Sequence, residues 1–244
     1  MKYVGSKNRL SKELAPIIQS YINENTKGYL EPFVGGANMI DKIKCNNRIG
    51  CDIHRQLIAL LNKAKDNIED IPDEITEEEY IEVKNNKDKY PDWYVGLVGF
   101  CATYSARWFG GYARSFKSDG VTPRNMSAEA IRNLKRQAPN LKDIEFKNCS
   151  FMELPKDKIK GYVIYCDIPY KGTTKYKTEE FPYEEFYEWA KEMSIHNTVL
   201  ISEYNMPDEF ECIWEKEHKT LIDSNKSSGD KDNIRVERLY AYIK

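Results

Sequence analysis

The chain has 244 residues, 31% of them charged and 41% hydrophobic, and a formal net charge of −2 at pH 7. This length suits one α/β domain with an insertion, which can bury a stable core without disulfides or a structural metal. The six cysteines form no Cys-x-x-Cys pair and the three histidines form no cluster, so the sequence suggests neither a disulfide framework nor a zinc site. No apolar run is long enough to span a membrane and no signal peptide is recognisable, so we expect a cytoplasmic protein without a membrane partner.

Apolar runs bounded by turn residues predict strands towards both ends of the chain. They lie at 29–33, 48–53, 144–147, 162–167, 198–203 and 235–243. Apolar residues at three- and four-residue spacing predict helices at 37–44, 54–65 and 183–193, and this strand-helix alternation is typical of a mainly parallel sheet. A further alternating stretch lies near 211–217, and a polar loop is predicted at 225–230.

The middle of the chain breaks this alternation. Residues 66–141 show helix-like patterns and scattered glycines but no convincing strand. We therefore predict one α/β domain with a mixed sheet, formed by residues 1–67 and 143–244, and a helical insertion at 68–142.

The sign of the charge is segregated within the middle part. The acidic segment, 66–92, has eleven acidic residues and three lysines, whereas the basic segment, 100–142, has eight lysines and arginines and two acidic residues. Aromatic residues and glycines interleave the basic segment, which favours a contact with nucleic acid. Two solvated helix faces of opposite sign are the alternative interpretation.

A glycine-rich turn, Glu31-Pro32-Phe33-Val34-Gly35-Gly36-Ala37, follows the first predicted strand. Asp52 comes twenty-one positions after Glu31 and ends the second predicted strand. An acidic residue at about this distance from a glycine-rich turn is typical of sites that bind the ribose hydroxyls of an adenosine. The full Gly-x-Gly-x-x-Gly pattern is absent, so an adenosine without phosphates is the favoured ligand, and an ordinary structural turn is the alternative.

The tetrapeptide Asp167-Ile168-Pro169-Tyr170 closes the apolar run of residues 162–166. It brings a carboxylate, a backbone carbonyl and an aromatic ring to a strand's end, where ligands bind in open α/β sheets. Pro169 favours an extended backbone at Ile168, and Tyr170 could stack on a flat ring. This combination suits the exocyclic amine of a nucleobase, whereas the alternative is an ordinary Asp-x-Pro turn.

Five ordered motifs together resemble the Dam-like class of DNA adenine-N6 methyltransferases, which use S-adenosylmethionine. The motifs are Lys2-Tyr3-Val4-Gly5-Ser6-Lys7, Glu31-Pro32-Phe33-Val34-Gly35-Gly36, Cys51-Asp52-Ile53, Asn148-Cys149-Ser150-Phe151 and Asp167-Ile168-Pro169-Tyr170. Residues 106–114 are similar to part of that family's target-recognition domain, so the resemblance covers essentially the full length. It implies a Rossmann-like class I methyltransferase fold and site-specific methylation of adenine in DNA.

The resemblance also implies a role for each matching residue. The pocket for S-adenosylmethionine would be formed by Tyr3, Lys7, Phe33, Gly35, Gly36, Asp52, Ile53, Ser150, Phe151 and Asp167. Asp167 and the Ile168 carbonyl would accept hydrogen bonds from the adenine amine, while Tyr170 stacks on a base flipped out of the duplex. The residues expected to contact double-stranded DNA are Arg107, Phe109, Tyr112, Arg114 and Arg124. No metal is expected.

Ile168 stands where that family usually has proline. Retained activity is favoured, because the contact at this position is made by a backbone carbonyl and Pro169 still restrains Ile168. The alternative is a catalytically silent DNA-binding or protective homologue, and methylation of the cytosine amine or of RNA would suit the same chemistry. A partner restriction endonuclease and a monomeric state are further expectations.

Overall fold

A computed structural model describes residues 1–116, 118–170, 181–219 and 234–242. The helices are α1 (Ser11–Ser20), α2 (Arg55–Asp66), α3 (Glu77–Asn85), α4 (Asp92–Cys101), α5 (Met126–Gln137) and α6 (Tyr183–Met193). The strands are β1 (Gly28–Glu31), β2 (Arg48–Asp52), β3 (Arg114–Phe116), β4 (Pro123–Asn125), β5 (Ile144–Asn148), β6 (Tyr162–Asp167), β7 (Thr198–Glu203), β8 (Phe210–Lys219) and β9 (Ile234–Tyr242). The predicted polar loop at 225–230 lies outside the described residues.

The described strands form a main sheet in the order β5-β2-β1-β6-β7-β9-β8. Strand β6 pairs in parallel with β1 and with β7, and β2 pairs in parallel with β5. Strand β9 runs antiparallel to both β7 and β8. This mixed sheet confirms the predicted Rossmann-like α/β fold.

The chain divides into two compact units. Unit one comprises Met1–Ser20 and Pro32–Leu154, and unit two comprises Tyr21–Glu31 and Pro155–Lys244. The proposed division into residues 1–67 with 143–244 and an insertion at 68–142 stays a prediction.

Unit one is held together by helix α2. Leu57, Leu60 and Leu61 of this helix are fully buried, as its apolar spacing predicts. Helix α4 crosses α2 at Gly96, where an added Cβ would lie 2.2 Å from the backbone oxygen of Gln56. Only glycine allows such a close approach of the two helices.

The core of unit two is formed by strands β6 and β7 with helix α6. Ile164 and Cys166 of β6 are fully buried, because β6 pairs on both sides within the sheet. Phe186 and Trp189 of α6 are stacked with 5.9 Å between ring centroids, and both are buried. The end of β6, where Asp167 lies, is held by its pairing with Ser202 of β7.

The predicted helix at 37–44 is wrong. Only a short 3-10 helix, Ile40–Lys42, forms there. Ala37 has a φ of 55°, which no α-helix accommodates, and the Asn38 side chain donates to the Met1 carbonyl oxygen and to Ser6 Oγ. Helix α1, in contrast, was not predicted, since Pro16 in its interior removes a backbone donor and argues against a helix.

The expectation that residues 66–141 contain no strand is also wrong. Strands β3 and β4 form a short antiparallel hairpin, with Ser115 opposite Arg124. In the turn, one Asp119 oxygen accepts from the amides of Val121 and Thr122 at 2.9 and 2.8 Å, and Gly120 has a φ of 70°. Asp-Gly marks a turn, but β3 and β4 have only three residues each, which is too short for a strand pattern to be recognised in the sequence.

Candidate active site

Asp52 lies at the end of β2 and is held by backbone amides. Its Oδ2 accepts a hydrogen bond from the Gly35 amide at 3.1 Å, and its Oδ1 accepts from the His54 amide at 2.9 Å. Burial raises the pKa of this carboxyl above its usual value, while the two amide bonds act in the opposite direction. Each oxygen retains a second lone pair, so the group can accept hydrogen bonds from a diol.

The glycine-rich turn packs against Tyr3. An added Cβ on Gly35, whose φ is 49°, would lie 3.0 Å from Cε1 of the Tyr3 ring. On Gly36 it would lie 2.8 Å from Tyr3 Cβ. Both positions therefore require glycine, for the left-handed backbone at Gly35 and for the close packing at Gly36.

Further residues predicted for the cofactor site lie around the same strand ends of unit one. The rings of Phe33 and Phe151 are 5.5 Å apart at their centroids, and the Asn148 side chain donates to the Asp52 carbonyl oxygen at 2.9 Å. Ser150 caps the short 3-10 helix that Phe151 begins. The Ile53 side chain is 76% exposed, an apolar surface next to the carboxylate.

Lys7 is a charged residue of the predicted cofactor site that is nevertheless buried. It is 8% exposed and begins a short 3-10 helix that Ser6 caps. Unit one thus brings together Tyr3, Phe33, Gly35, Asp52 and Phe151 by direct contacts or by a shared strand end.

His54 is a residue of this region that the sequence did not single out. Its ring makes edge contacts with Phe100 and Trp108, at 5.0 and 4.3 Å between centroids. Its Nδ1 is buried and has no hydrogen-bond partner among the described residues. Burial lowers the pKa of His54, because a charged ring would lie among aromatic side chains.

In unit two, Asp167 ends β6 opposite Ser202 of β7. The Ile168 side chain is 2% exposed, so it packs inside the protein, whereas Pro169 is exposed. The Pro169 carbonyl oxygen accepts a hydrogen bond from the Tyr183 hydroxyl at 2.9 Å, which ties the tetrapeptide to the start of α6. The chain at the predicted catalytic motif is therefore anchored on both sides.

Tyr170 is half-buried, and its hydroxyl donates to Glu237 Oε2 at 2.6 Å. Its ring meets the Tyr204 ring edge-on, with 4.4 Å between centroids. Burial, with the nearby charges of Asp167 and Glu237, raises the pKa of Tyr170 well above its usual value. The hydroxyl consequently keeps its proton and acts as a donor.

Glu237 and Tyr204 were not predicted from the sequence. Glu237 belongs to a set of buried carboxyl side chains in unit two, which also includes Glu31 and Glu203. Glu31 accepts a hydrogen bond from the Tyr29 hydroxyl at 2.7 Å. No local sequence pattern indicates these contacts, since Tyr170 and Glu237 are 67 positions apart.

The three arginines predicted to bind DNA differ in their surroundings. Arg107 is exposed and makes no salt bridge within the described part of the chain. Arg114 of β3 is engaged by both carboxylate oxygens of Glu77, and Arg124 of β4 by those of Glu129. Two of the three guanidinium groups therefore already have an anionic partner.

The acidic and basic segments pair with each other. Besides the Glu77 contact with Arg114, Lys135 Nζ lies 2.6 Å from Asp73 Oδ1, and the Asn125 side chain donates to Glu74. These contacts lie at the surface, where the Arg114 and Asp73 side chains are 70% and 90% exposed, so the alternative of solvated faces stays open.

The two aromatic residues predicted to contact DNA are engaged within the protein. Phe109 is 8% exposed and packs against Trp108 and Tyr80, so in this conformation its ring cannot stack on a base, which corrects the prediction. The Tyr112 hydroxyl donates to the Ile75 carbonyl oxygen at 2.9 Å. The exposed aromatic residues of the basic segment are instead Tyr104, at 64%, and Phe116 of the hairpin, at 58%.

Comparison with known proteins bears on this geometry. Residues 3–93 match the model of the D12 class N6 adenine-specific DNA methyltransferase family, which confirms the predicted resemblance. This segment includes the glycine-rich turn and Asp52. No curated protein sequence matches the chain.

Two solved structures are similar over most of the chain. One is SMU.472 complexed with SAH, at 13% identity and a TM-score of 0.40, covering 97% of this chain and 52% of that protein. The chain thus spans about half the length of SMU.472. The other is HI0767 from Haemophilus influenzae, described as a methylase, at 11% identity and a TM-score of 0.35, covering 97% of this chain and 98% of that one. Among the described residues, no helix is long and apolar enough to cross a membrane.

Proposed function

We propose that this protein transfers a methyl group from S-adenosylmethionine to the exocyclic N6 amine of adenine in a specific DNA sequence. The observation that carries the proposal is the match of residues 3–93 to a family of N6 adenine-specific DNA methyltransferases. The geometry of the two strand ends, at Asp52 and at Asp167, supports it.

The residues of unit one fit the cofactor. Asp52 presents a carboxylate whose orientation is fixed by two backbone amides, which suits it to accept hydrogen bonds from the ribose hydroxyls. Ile53 offers an exposed apolar side chain for the adenine ring, and the half-buried Phe33 ring lies beside it in the proposal, supported from within by the buried Phe151 ring. S-adenosylmethionine, when bound, supplies an electrophilic methyl group.

The residues of unit two suit the target amine. The Asp167 carboxylate and the Ile168 carbonyl would accept hydrogen bonds from the amine, and Tyr170 would stack on the base after it leaves the duplex. The lone pair of the amine is delocalised into the ring, so two acceptors make the nitrogen more tetrahedral and a better nucleophile. Catalysis in this proposal consists of positioning and local electrostatics.

DNA recognition is assigned to the basic segment. Arg107 is exposed there, and Tyr104 and Phe116 present aromatic surface. Arginines neutralise phosphates and read guanine edges, and aromatic rings stack on bases or insert between them. Base flipping and sequence specificity are part of the same proposal.

A second candidate function is DNA binding without catalysis, and Ile168 is the observation that favours it. Proline is usual at this position in the family that the sequence resembles. The buried Ile168 side chain replaces the rigid ring, so the loop would depend on Pro169 and on the Tyr183 contact for its shape. The cytoplasmic location, a partner restriction endonuclease and a monomeric state stay predictions.

The test is to incubate the purified protein with methyl-labelled S-adenosylmethionine and either duplex DNA or RNA, and to digest the product to nucleosides. The expected product is N6-methyldeoxyadenosine, with no product from the Asp167→Ala variant. Label in a methylated cytosine, or only in RNA nucleosides, would overturn the proposed substrate. Cofactor and DNA binding without any methylated nucleoside would support the non-catalytic alternative.

A further inference from the structure

Glu237 is a buried side chain that contacts the predicted catalytic motif from another strand. It lies on β9, which pairs with β7, and β7 in turn pairs with β6, the strand that ends at Asp167. Its side chain is 6% exposed, and its Oε2 accepts the hydroxyl of Tyr170 at 2.6 Å. A distance this short is typical of a hydroxyl that donates to a charged oxygen, the stronger class of hydrogen bond.

The same strand also restrains Tyr170 through Tyr204. The ring of Tyr204 meets that of Tyr170 at an interplanar angle of 76°. The Tyr204 carbonyl oxygen accepts hydrogen bonds from Arg238 Nη1 and, at 3.2 Å, from the Tyr240 hydroxyl, and both donors are on β9. Strand β9 therefore fixes the Tyr170 ring at its hydroxyl directly and at its edge through Tyr204.

We propose that Glu237 is the positioning residue for Tyr170, holding the ring in the orientation that stacks on the target base. A tyrosine ring turns about two side-chain bonds. The hydrogen bond to Glu237 fixes the hydroxyl and so restricts the first, while the hydroxyl oxygen lies on the axis of the second, about which the Tyr204 ring restrains rotation. Stacking depends on the tilt and offset of the two rings, and a ring that rotates freely loses that geometry. This inference rests on the proposed function, because it assigns a role to Glu237 in that same reaction.

The hydrogen bond to Glu237 requires that the Tyr170 hydroxyl be protonated. The surroundings of Tyr170 favour this protonated form. Burial and the nearby carboxylates disfavour the phenolate, so the hydroxyl remains a donor throughout the neutral range. Replacing Glu237 by leucine would leave that donor buried without its acceptor, and the ring would have to turn towards another one. Glutamine keeps an acceptor oxygen in the same place.

The decisive experiment compares Glu237→Leu, Glu237→Gln and Tyr170→Phe by steady-state kinetics. The substrate is an unmethylated duplex that the parent protein methylates. We expect Glu237→Leu and Tyr170→Phe each to lower kcat about tenfold or more with little change in S-adenosylmethionine affinity, and Glu237→Gln to stay within about threefold of the parent. In the Tyr170→Phe background, Glu237→Leu should have little further effect, since the bond it removes is already absent. Glu211→Leu, on exposed surface of β8, is the matched control.

A structural role for Glu237 would give a different pattern. Glu237→Leu would then lower thermal stability and reduce kcat by the same factor with or without the Tyr170→Phe substitution, and that result would overturn the inference. A wild-type kcat for a folded Glu237→Leu variant would also overturn it. If that variant fails to fold, Tyr170→Phe alone decides, because an unchanged kcat would show that the hydroxyl contact has no role. Absence of methylation by the wild-type protein would instead refute the proposed function itself.

A spectroscopic measurement gives an independent readout. 2-Aminopurine can replace the target adenine in the duplex. The fluorescence of 2-aminopurine then reports on stacking of the flipped base. We expect Glu237→Leu to change the fluorescence of the bound duplex and Glu237→Gln to preserve it. Identical fluorescence for the parent and both variants would contradict the positioning role.

Discussion

The Gly35 amide donates a hydrogen bond to Asp52 Oδ2, with 3.1 Å between nitrogen and oxygen. This contact joins the glycine-rich turn to the end of the next strand. Because the second Asp52 oxygen is held by the His54 amide, both oxygens are oriented by backbone and not by mobile side chains. The position of the carboxylate is therefore set by the fold before any ligand binds.

The first prediction concerns Asp52→Ala. Loss of charge-assisted hydrogen bonds to ribose should raise the Kd for S-adenosylmethionine by about 10- to 150-fold, corresponding to roughly 1.5–3 kcal/mol. Isothermal titration calorimetry measures this directly, with Asp143→Ala, an exposed residue just before β5, as the control. DNA affinity should change little. An unchanged cofactor Kd would show that Asp52 serves only the turn.

Asp167→Ala should abolish methyl transfer while cofactor binding is largely kept. The carboxylate is expected to contact the amine, and removal of one such positioned group typically lowers the rate about 10²- to 10³-fold. Single-turnover assays with saturating cofactor measure the chemical step. Turnover close to that of the parent protein would contradict the proposed mechanism.

Ile168→Pro tests whether the departure from the family pattern weakens the enzyme. If the backbone carbonyl is the working group, proline should preserve or raise kcat by stiffening the loop. A protein that lacks activity for another reason would not be rescued. The comparison needs an unfolding curve for both proteins, because the buried isoleucine also contributes to packing. A folded proline variant that loses the parent's activity would refute this interpretation.

The arginines of the basic segment should contribute unequally to DNA affinity. Arg107 is exposed without a salt bridge among the described residues, so Arg107→Ala should weaken DNA binding and reduce the salt dependence by about one unit. Arg114→Ala should have a smaller effect, since Arg114 must first exchange Glu77 for a phosphate. Glu77→Gln should then increase affinity for any duplex, with Glu78→Gln as its neighbour control. Equal losses for both arginine variants would show that the Glu77 contact does not compete with DNA.

The stability of the fold should depend on His54 under acidic conditions. Its folded pKa is lowered by burial, so below the unfolded value of about 6.5 the unfolded chain binds a proton that the folded chain does not. Stability is then retained above that pH and falls as the pH decreases through it. Melting temperatures between about pH 7.5 and pH 5.5 should fall less for His54→Phe than for the parent. The exposed His196→Asn variant is the control, and equal slopes in all three would exclude His54 as the cause.

The elements that the sequence predicted share a simple physical signal. Strands β2, β6 and β7 are apolar runs that end in polar residues, and helix α2 has a clear apolar face. Asp52 and Asp167 were placed at strand ends because an acidic residue directly follows each run. The position of each carboxylate at the end of its own strand required no knowledge of side-chain contacts.

The features that escaped prediction depend on tertiary contacts. The burial of Phe109 requires the ring of Tyr80 and the approach of Gly99, and neither follows from residues 106–114. The Glu77 contact with Arg114 joins residues 37 positions apart, so the segregated charges were visible but their pairing was not. The prediction of a helix at 37–44 was wrong because apolar spacing does not reveal the left-handed backbone at Ala37.

The hairpin turn between β3 and β4 has a consequence for association. Phe116 and Val121 lie beside this turn and are 58% and 76% exposed, yet Asp119 ties the turn through two backbone amides. Part of the backbone entropy of residues 119–122 is therefore already lost when the free protein folds. A partner that covers the two side chains gains their apolar contact at a smaller cost of ordering residues 119–122.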